Sequence, residues 1–117
     1  MVGPAVINFW GADCPPCVRE LPLLEGFARQ QPGWTAWLVA TDAPATARDF
    51  LDKHPVALPV LRAGADVAGL MRAAGNHTGG LPYTVALDAQ GVLCFRHAGE
   101  IDAAALARMV AACAAPR

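Results

Sequence analysis

The sequence predicts an α/β fold: a mixed sheet of four to five strands with helices on both faces. Three observations predict it. Short apolar runs alternate with helical patterns through much of the chain, one strand-to-helix junction carries two cysteines, and a hairpin signature precedes a last amphipathic helix. The 117 residues, 55% of them hydrophobic, fit one domain over 1–117 with a single core and exclude a disordered chain. A net charge of −1 without a basic cluster argues against a nucleic-acid partner. No apolar run approaches the ~20 residues of a membrane span, so no membrane insertion of this segment is expected. Only Met1 to Pro4 precede the first strand, too few for a signal peptide, which reads as an excised soluble domain.

The elements follow in order. Val6, Ile7, Phe9 and Trp10 form a buried strand, and the helix after it opens with prolines, tolerated in a first turn whose N–H groups have no intrahelical partner. That spacing puts Cys14 at the helix N-terminus and Cys17 one turn in. The helix should run to about Gln30, with Leu21, Leu24 and Phe27 or Ala28 inward and a kink at Pro22. Trp34 to Ala40 reads as a strand covered on both faces, and Thr41 or Asp42 as the cap of a helix over Pro44 to Lys53 with Phe50 and Leu51 inward. Val56 to Leu61, broken by Pro59, is an edge or stub strand, and Ala65 to Ala74 is a third helix. Tyr83 to Leu87 and Val92 to Arg96 are strands joined by Asp88-Ala89-Gln90-Gly91, with glycine where positive φ is needed. Asp102 caps the last helix, whose Leu106, Met109, Val110 and Cys113 make an apolar stripe. This order of elements resembles the thioredoxin arrangement.

Cys14 and Cys17 stand close together, but Cys94 and Cys113 stand apart, and only His97 lies at ligand spacing from Cys94. The pattern predicts no metal site. Cys94 and Cys113 read most simply as small buried hydrophobes, with a disulfide between them as the alternative in an oxidising compartment. At a helix start the dipole favours a thiolate, the nucleophile of disulfide exchange, so the Cys14/Cys17 pair reads as redox-active rather than structural.

The chain resembles the periplasmic, membrane-tethered thioredoxin-like proteins of the TlpA, ResA and CcmG type. The matching residues are Asn8-Phe9-Trp10, Cys14-Pro15-Pro16-Cys17, Glu20 with Pro22, Gly80-Leu81-Pro82-Tyr83-Thr84, and Asp88 with Gly91. The long separation of Cys17 and Pro82 fits a central insertion in that branch, and Asn8 stands where cytosolic thioredoxins tend to have a buried aspartate. Two features depart from the pattern. Asp13 replaces a usual tryptophan, and extra N-terminal strands are absent, which reads as truncation or a minimal variant.

The resemblance implies that Pro82 is cis and lies with Leu81 against the disulfide, beside the strand edge that pairs with substrate backbone; an ordinary turn proline is the alternative. It implies that Glu20 accepts the Cys17 proton; a solvated glutamate paired with a neighbouring arginine is the alternative. Trp10, a candidate substrate contact, shields the site, belongs to the core, or does both. His77, in the loop before Pro82, lies near the site rim at most. The expected function is a monomeric thiol-disulfide oxidoreductase that reduces protein clients in the periplasm or cell envelope through Cys14 and Cys17. It would need no cofactor and would be re-reduced by a membrane electron donor, with apocytochrome c among the candidate clients. A binding module, or a metallochaperone holding Cu(I) on the same cysteines, is the rival.

Overall fold

The computed structural model describes residues 3–62, 67–76 and 79–114. Nine elements follow in order: β1 (Ala5–Trp10), α1 (Pro15–Gln30), β2 (Thr35–Ala40), α2 (Pro44–Lys53), β3 (Val60–Arg62), α3 (Val67–Ala73), β4 (Tyr83–Leu87), β5 (Leu93–Ala98) and α4 (Ala103–Ala114). The strands form one sheet in the order β3-β2-β1-β4-β5. β1 runs parallel to β2, and β2 to β3, while β4 is antiparallel to both β1 and β5. The expected mixed sheet is therefore present with five strands.

Alternation along β1 sorts its side chains between two apolar layers. Val6 and Trp10 pack with Leu21, Leu24 and Phe27 of α1, Ala47 of α2, and Leu106 and Met109 of α4. Phe9, with Ile7 at its edge, packs on the opposite face with Val39, Tyr83, Val85 and Met71 of α3. β1, β2 and β4 are covered on both faces, which is why they read as nearly continuous apolar runs. β5 is an edge strand with Leu93 partly exposed.

α1 is continuous through Pro22. β3 is shorter than the expected Val56–Leu61 and begins only after Pro59, whose carbonyl accepts from Leu38 N–H at 3.0 Å. The third helix is described from Val67 onward; Ala65 and Asp66 lie outside the described residues. The expected cap of α2 is corrected. Ala43 occupies the N-cap position without a side-chain bond, because Thr41 and Asp42 bond across to the end of β1. Asp88 anchors the β4–β5 hairpin, accepting at Oδ1 from Gln90 and Val92 N–H, and Gly91 closes it at φ +82°. Asp102 caps α4 as expected, accepting from Ala105 N–H at 2.8 Å.

Cys94 and Cys113 are not separate buried thiols. They form a disulfide that ties β5 to the last turn of α4. Closing a loop of this length restricts the unfolded chain by about 3 kcal/mol in the chain-entropy account. Replacing both by alanine should lower unfolding stability by about that amount in denaturant titration while leaving the Cys14–Cys17 disulfide intact on mass mapping. An unchanged midpoint would show that the bond does not stabilise the fold.

Candidate active site

The site sits where β1 ends. Gly11, Ala12 and Asp13 turn the chain, and Cys14 is the N-cap of α1 in an extended conformation. Pro15 and Pro16 occupy the first helical positions and have no N–H to offer. Cys14 and Cys17 form a disulfide with their Cα atoms 5.3 Å apart, and Cys17 N–H points at Cys14 Sγ at 3.3 Å. Val18 N–H goes instead to the Cys14 carbonyl, at 3.1 Å. Cys14 is half-buried, whereas Cys17 has no exposed surface.

Two loops brace this turn. Asp42 accepts from Ala12 N–H at 2.7 Å, and Thr41 binds the Trp10 carbonyl through both its N–H and its hydroxyl. On the other side lies the Leu81–Pro82 peptide, which is cis. A methyl placed on Gly11 would stand 3.3 Å from Leu81 Cδ1 and 3.7 Å from Asp42 Oδ1, so the three segments meet at this glycine. Leu81 is half-buried against the same core as Ala12 and Cys14. Pro82 is buried, and its carbonyl accepts from Gly99 N–H at 3.0 Å. Asn76 shapes the approach to Leu81, donating to the Gly80 carbonyl at 2.8 Å and accepting from Gly79 N–H at 3.1 Å. His77 lies outside the described residues.

Glu20 is not a solvated helix glutamate. Its residue is 1% exposed, one turn beyond Cys17, and the neighbouring Arg19 makes a two-pronged pair with Glu100 instead, at 3.2 and 2.7 Å. Inside, Glu20 Oε1 accepts from Asn8 Nδ2 at 3.0 Å, and Oε2 accepts from Ile101 N–H. Burial pushes the Glu20 carboxyl above the usual carboxylate range. The bonds from Ile101 and Asn8 pull the other way without cancelling it, and the charge of Glu100 adds to the rise. Trp10 is wholly buried, its ring 5.3 Å from that of Phe50, so it has no surface to give a substrate and belongs to the core beneath the disulfide.

The structure thus gathers Cys14, Cys17, Glu20, Leu81 and Pro82 at one end of the sheet and places Trp10 below them. The sequence assigned Thr41 and Asp42 to a helix cap rather than to this site and gave Ile101 no role. Thr41 and Asp42 follow a strand, which carries a signal for position at the sheet end but none for their partner. Ile101 takes part through its backbone, which no side chain announces.

A disulfide at the start of a helix, facing a cis-proline loop across a sheet of this order, defines a thioredoxin-like domain. The chain belongs to the Redoxin family, whose model matches residues 2–111. It is 33% identical over 58 residues to the thiol-disulfide oxidoreductase ResA of Halalkalibacterium halodurans, covering 47% of this chain and 33% of that protein. To a thiol:disulfide interchange protein DsbE homolog of Paracoccus denitrificans it is 31% identical over 99 residues, covering 85% of this chain and 52% of the relative. The crystal structure of a thioredoxin-related protein from Neisseria meningitidis serogroup B superposes with a TM-score of 0.77 at 28% identity, over 95% of this chain and 84% of that one. These relatives fit the TlpA, ResA and CcmG type. The chain spans about a third to a half of the length of the two curated relatives.

The difference in exposure between the two cysteines predicts their reactivity. In the reduced protein, brief iodoacetamide treatment at neutral pH should label Cys14 in preference to Cys17, as read by peptide mass mapping. Preferential labelling of Cys17 would reverse the assignment. Glu20 predicts a pH effect on stability. Its folded-state value lies above its unfolded one, so between the two the folded chain binds more protons and stability falls as pH rises. Glu20→Gln should flatten that decline and raise the melting temperature at neutral pH.

Proposed function

We propose that the chain is a thiol-disulfide oxidoreductase that reduces protein disulfides in the periplasm or an equivalent envelope space. The observation that carries this reading is the unequal pair at the helix start: a half-buried Cys14 in front and a fully buried Cys17 behind, with a buried carboxyl one turn further on. In the reduced protein the Cys14 thiolate attacks a client disulfide. A Cys14–client bond forms, and the first client sulfur leaves and takes up a proton. Cys17 then gives its proton to Glu20, and its thiolate attacks Cys14 Sγ. The second client sulfur is expelled, and two electrons have passed from the Cys14/Cys17 dithiol to the client. Leu81 and Pro82 lie where the client chain must pass to reach Cys14. No cofactor enters the cycle. The dithiol is restored by exchange with a donor dithiol, which for an envelope protein is a membrane electron donor.

Several features support the details. The Cys94–Cys113 disulfide fits an oxidising compartment, and the names of the relatives fit disulfide exchange there. Among the described residues Cys14 Sγ receives one amide N–H, from Cys17, and Asp13 adds a nearby negative charge, so its thiolate is weakly stabilised. A weakly stabilised thiolate makes the reduced form a better reductant. A glutathione titration should place the couple below roughly −200 mV, and a value near −120 mV would mark an oxidant.

Two variants test the cycle. Cys17→Ala keeps the attacking thiol and removes the resolving one, so it should accumulate mixed disulfides with a few envelope clients in a native host, read on non-reducing gels by mass spectrometry. Apocytochrome c or cytochrome-oxidase assembly proteins among them would fit the reductase reading. A broad set of secreted disulfide proteins would point to an oxidase or isomerase, and no capture by a still-alkylatable Cys14 would remove client reduction as the function. Glu20→Gln should slow insulin reduction by roughly a hundredfold, the lower range of general-base contributions. Wild-type rates should rise with pH through the Glu20 titration, since only the carboxylate accepts a proton, and the variant should lack that limb.

A further inference from the structure

If Glu20 accepts the Cys17 proton, it must hold and release it at a position only 1% exposed. The side chain that meets this requirement is Asn8. Residue pairing between antiparallel β1 and β4 sets Asn8 directly opposite Thr84, and both are buried with Glu20 beneath the disulfide. Asn8 Nδ2 donates to Glu20 Oε1 at 3.0 Å and lies 3.0 Å from Thr84 Oγ1. Asn8 Oδ1 finds no partner among the described residues, though it too is buried. An amide with two satisfied protons and an orphaned oxygen is a costly arrangement if only one state of Glu20 counts.

The cost has a purpose if both states count. Half a turn of the carboxamide exchanges Oδ1 and Nδ2, groups of nearly the same shape. In that orientation Oδ1 faces Glu20 Oε1 and Thr84 Oγ1, and it accepts from a protonated carboxyl and from the threonine hydroxyl. The number of bonds to Glu20 and Thr84 is unchanged, and the unpaired group is now the Asn8 NH2 in place of Oδ1, so each orientation leaves one end of the amide unpaired and the state of Glu20 selects which. Oε2 is already occupied by Ile101 N–H, an acceptor role it keeps in both states, so the proton belongs on Oε1, the oxygen facing Asn8. Neither leucine nor aspartate at position 8 could do both: one has no polar atoms, and the other, ionised, would repel the carboxylate.

We propose that Asn8 is a positioning residue whose carboxamide turns over to bond both protonation states of Glu20, donating to the carboxylate and accepting from the acid, with Thr84 as second partner in each orientation. This rests on the reading of Glu20 as the acceptor of the Cys17 proton. The other charged groups that act on Glu20 are Glu100 and His97, from the β5–α4 side, and Arg19 is tied to Glu100 outside the network.

The oxidised protein, labelled with ¹³C and ¹⁵N, tests it. The Asn8 side-chain ¹⁵N signal should move with pH at the same midpoint as the Glu20 carboxyl carbon, because Nδ2 loses its acceptor when Glu20 takes a proton. A bond to a charged acceptor is worth more than one to a neutral group by about 1.4 kcal/mol, so Asn8→Leu should raise the Glu20 midpoint by about one pH unit. The rising limb of the insulin-reduction rate should shift upward by the same tenfold in proton concentration, which a merely structural loss would not produce. An Asn8 signal that stays flat through the Glu20 titration, or an unmoved midpoint in Asn8→Leu, would overturn the proposal. If Asn8 and Glu20 titrate together but Glu20→Gln reduces insulin at the wild-type rate, the coupling stands and the proton-acceptor reading fails.

Discussion

A carboxyl group buried beneath a disulfide organises much of this structure. Glu20 takes its hydrogen bonds from β1 through Asn8 and from the approach to α4 through Ile101 N–H, so one side chain of α1 holds the central strand and the last helix in register with the cysteines. Taking a carboxyl out of water without such donors costs several kcal/mol, so the donors and the burial have to come together. The donors offset only part of the desolvation, which leaves the group poised to bind a proton where a surface glutamate would not. The same contacts thus set both how far Glu20 stabilises the fold and how readily it binds a proton.

The second organising feature is the meeting of three chain segments at Gly11. The end of β1, the loop after β2 and the cis Leu81–Pro82 peptide converge there, and a larger side chain would press on Leu81. Asp42 and Thr41 hold the β1 turn from one side. Cys14 is therefore presented from a braced loop, with its helix-start geometry fixed by bonds to a different strand's loop rather than by the helix alone. The Cys94–Cys113 bond lies apart from this end and fastens α4 to β5. It gives a small domain with an alanine-rich last helix an additional constraint, separate from the Cys14–Cys17 pair.

Much of the fold and half of the site were legible from local pattern. The Cys14/Cys17 junction, the boundaries of α2, the Asp88–Gly91 turn and the Asp102 cap each follow from residues within a few positions of one another, where periodicity and turn chemistry act. Pro82 and Glu20 entered through resemblance to a family, and the structure shows the one in a cis peptide and the other buried. The reading of the α2 cap failed for a tertiary reason. Thr41 and Asp42 have the chemistry of a helix cap, but their side chains found partners on another loop, and a cap is only the best local use of a polar group.

By itself the sequence determined the order of elements, the exposed and buried ends of the cysteine pair, and the apolar faces, because these depend on chain neighbours and on the periods of strand and helix. Only the tertiary structure decided that Glu20 is inside rather than solvated, that Trp10 is wholly buried, that Cys94 meets Cys113, and that Asn8 stands between Glu20 and Thr84. Each of these joins residues far apart in the chain, and the register of β1 against β4 sets the last. A helix position three residues after Cys17 says which side Glu20 faces, but not what the sheet has placed there.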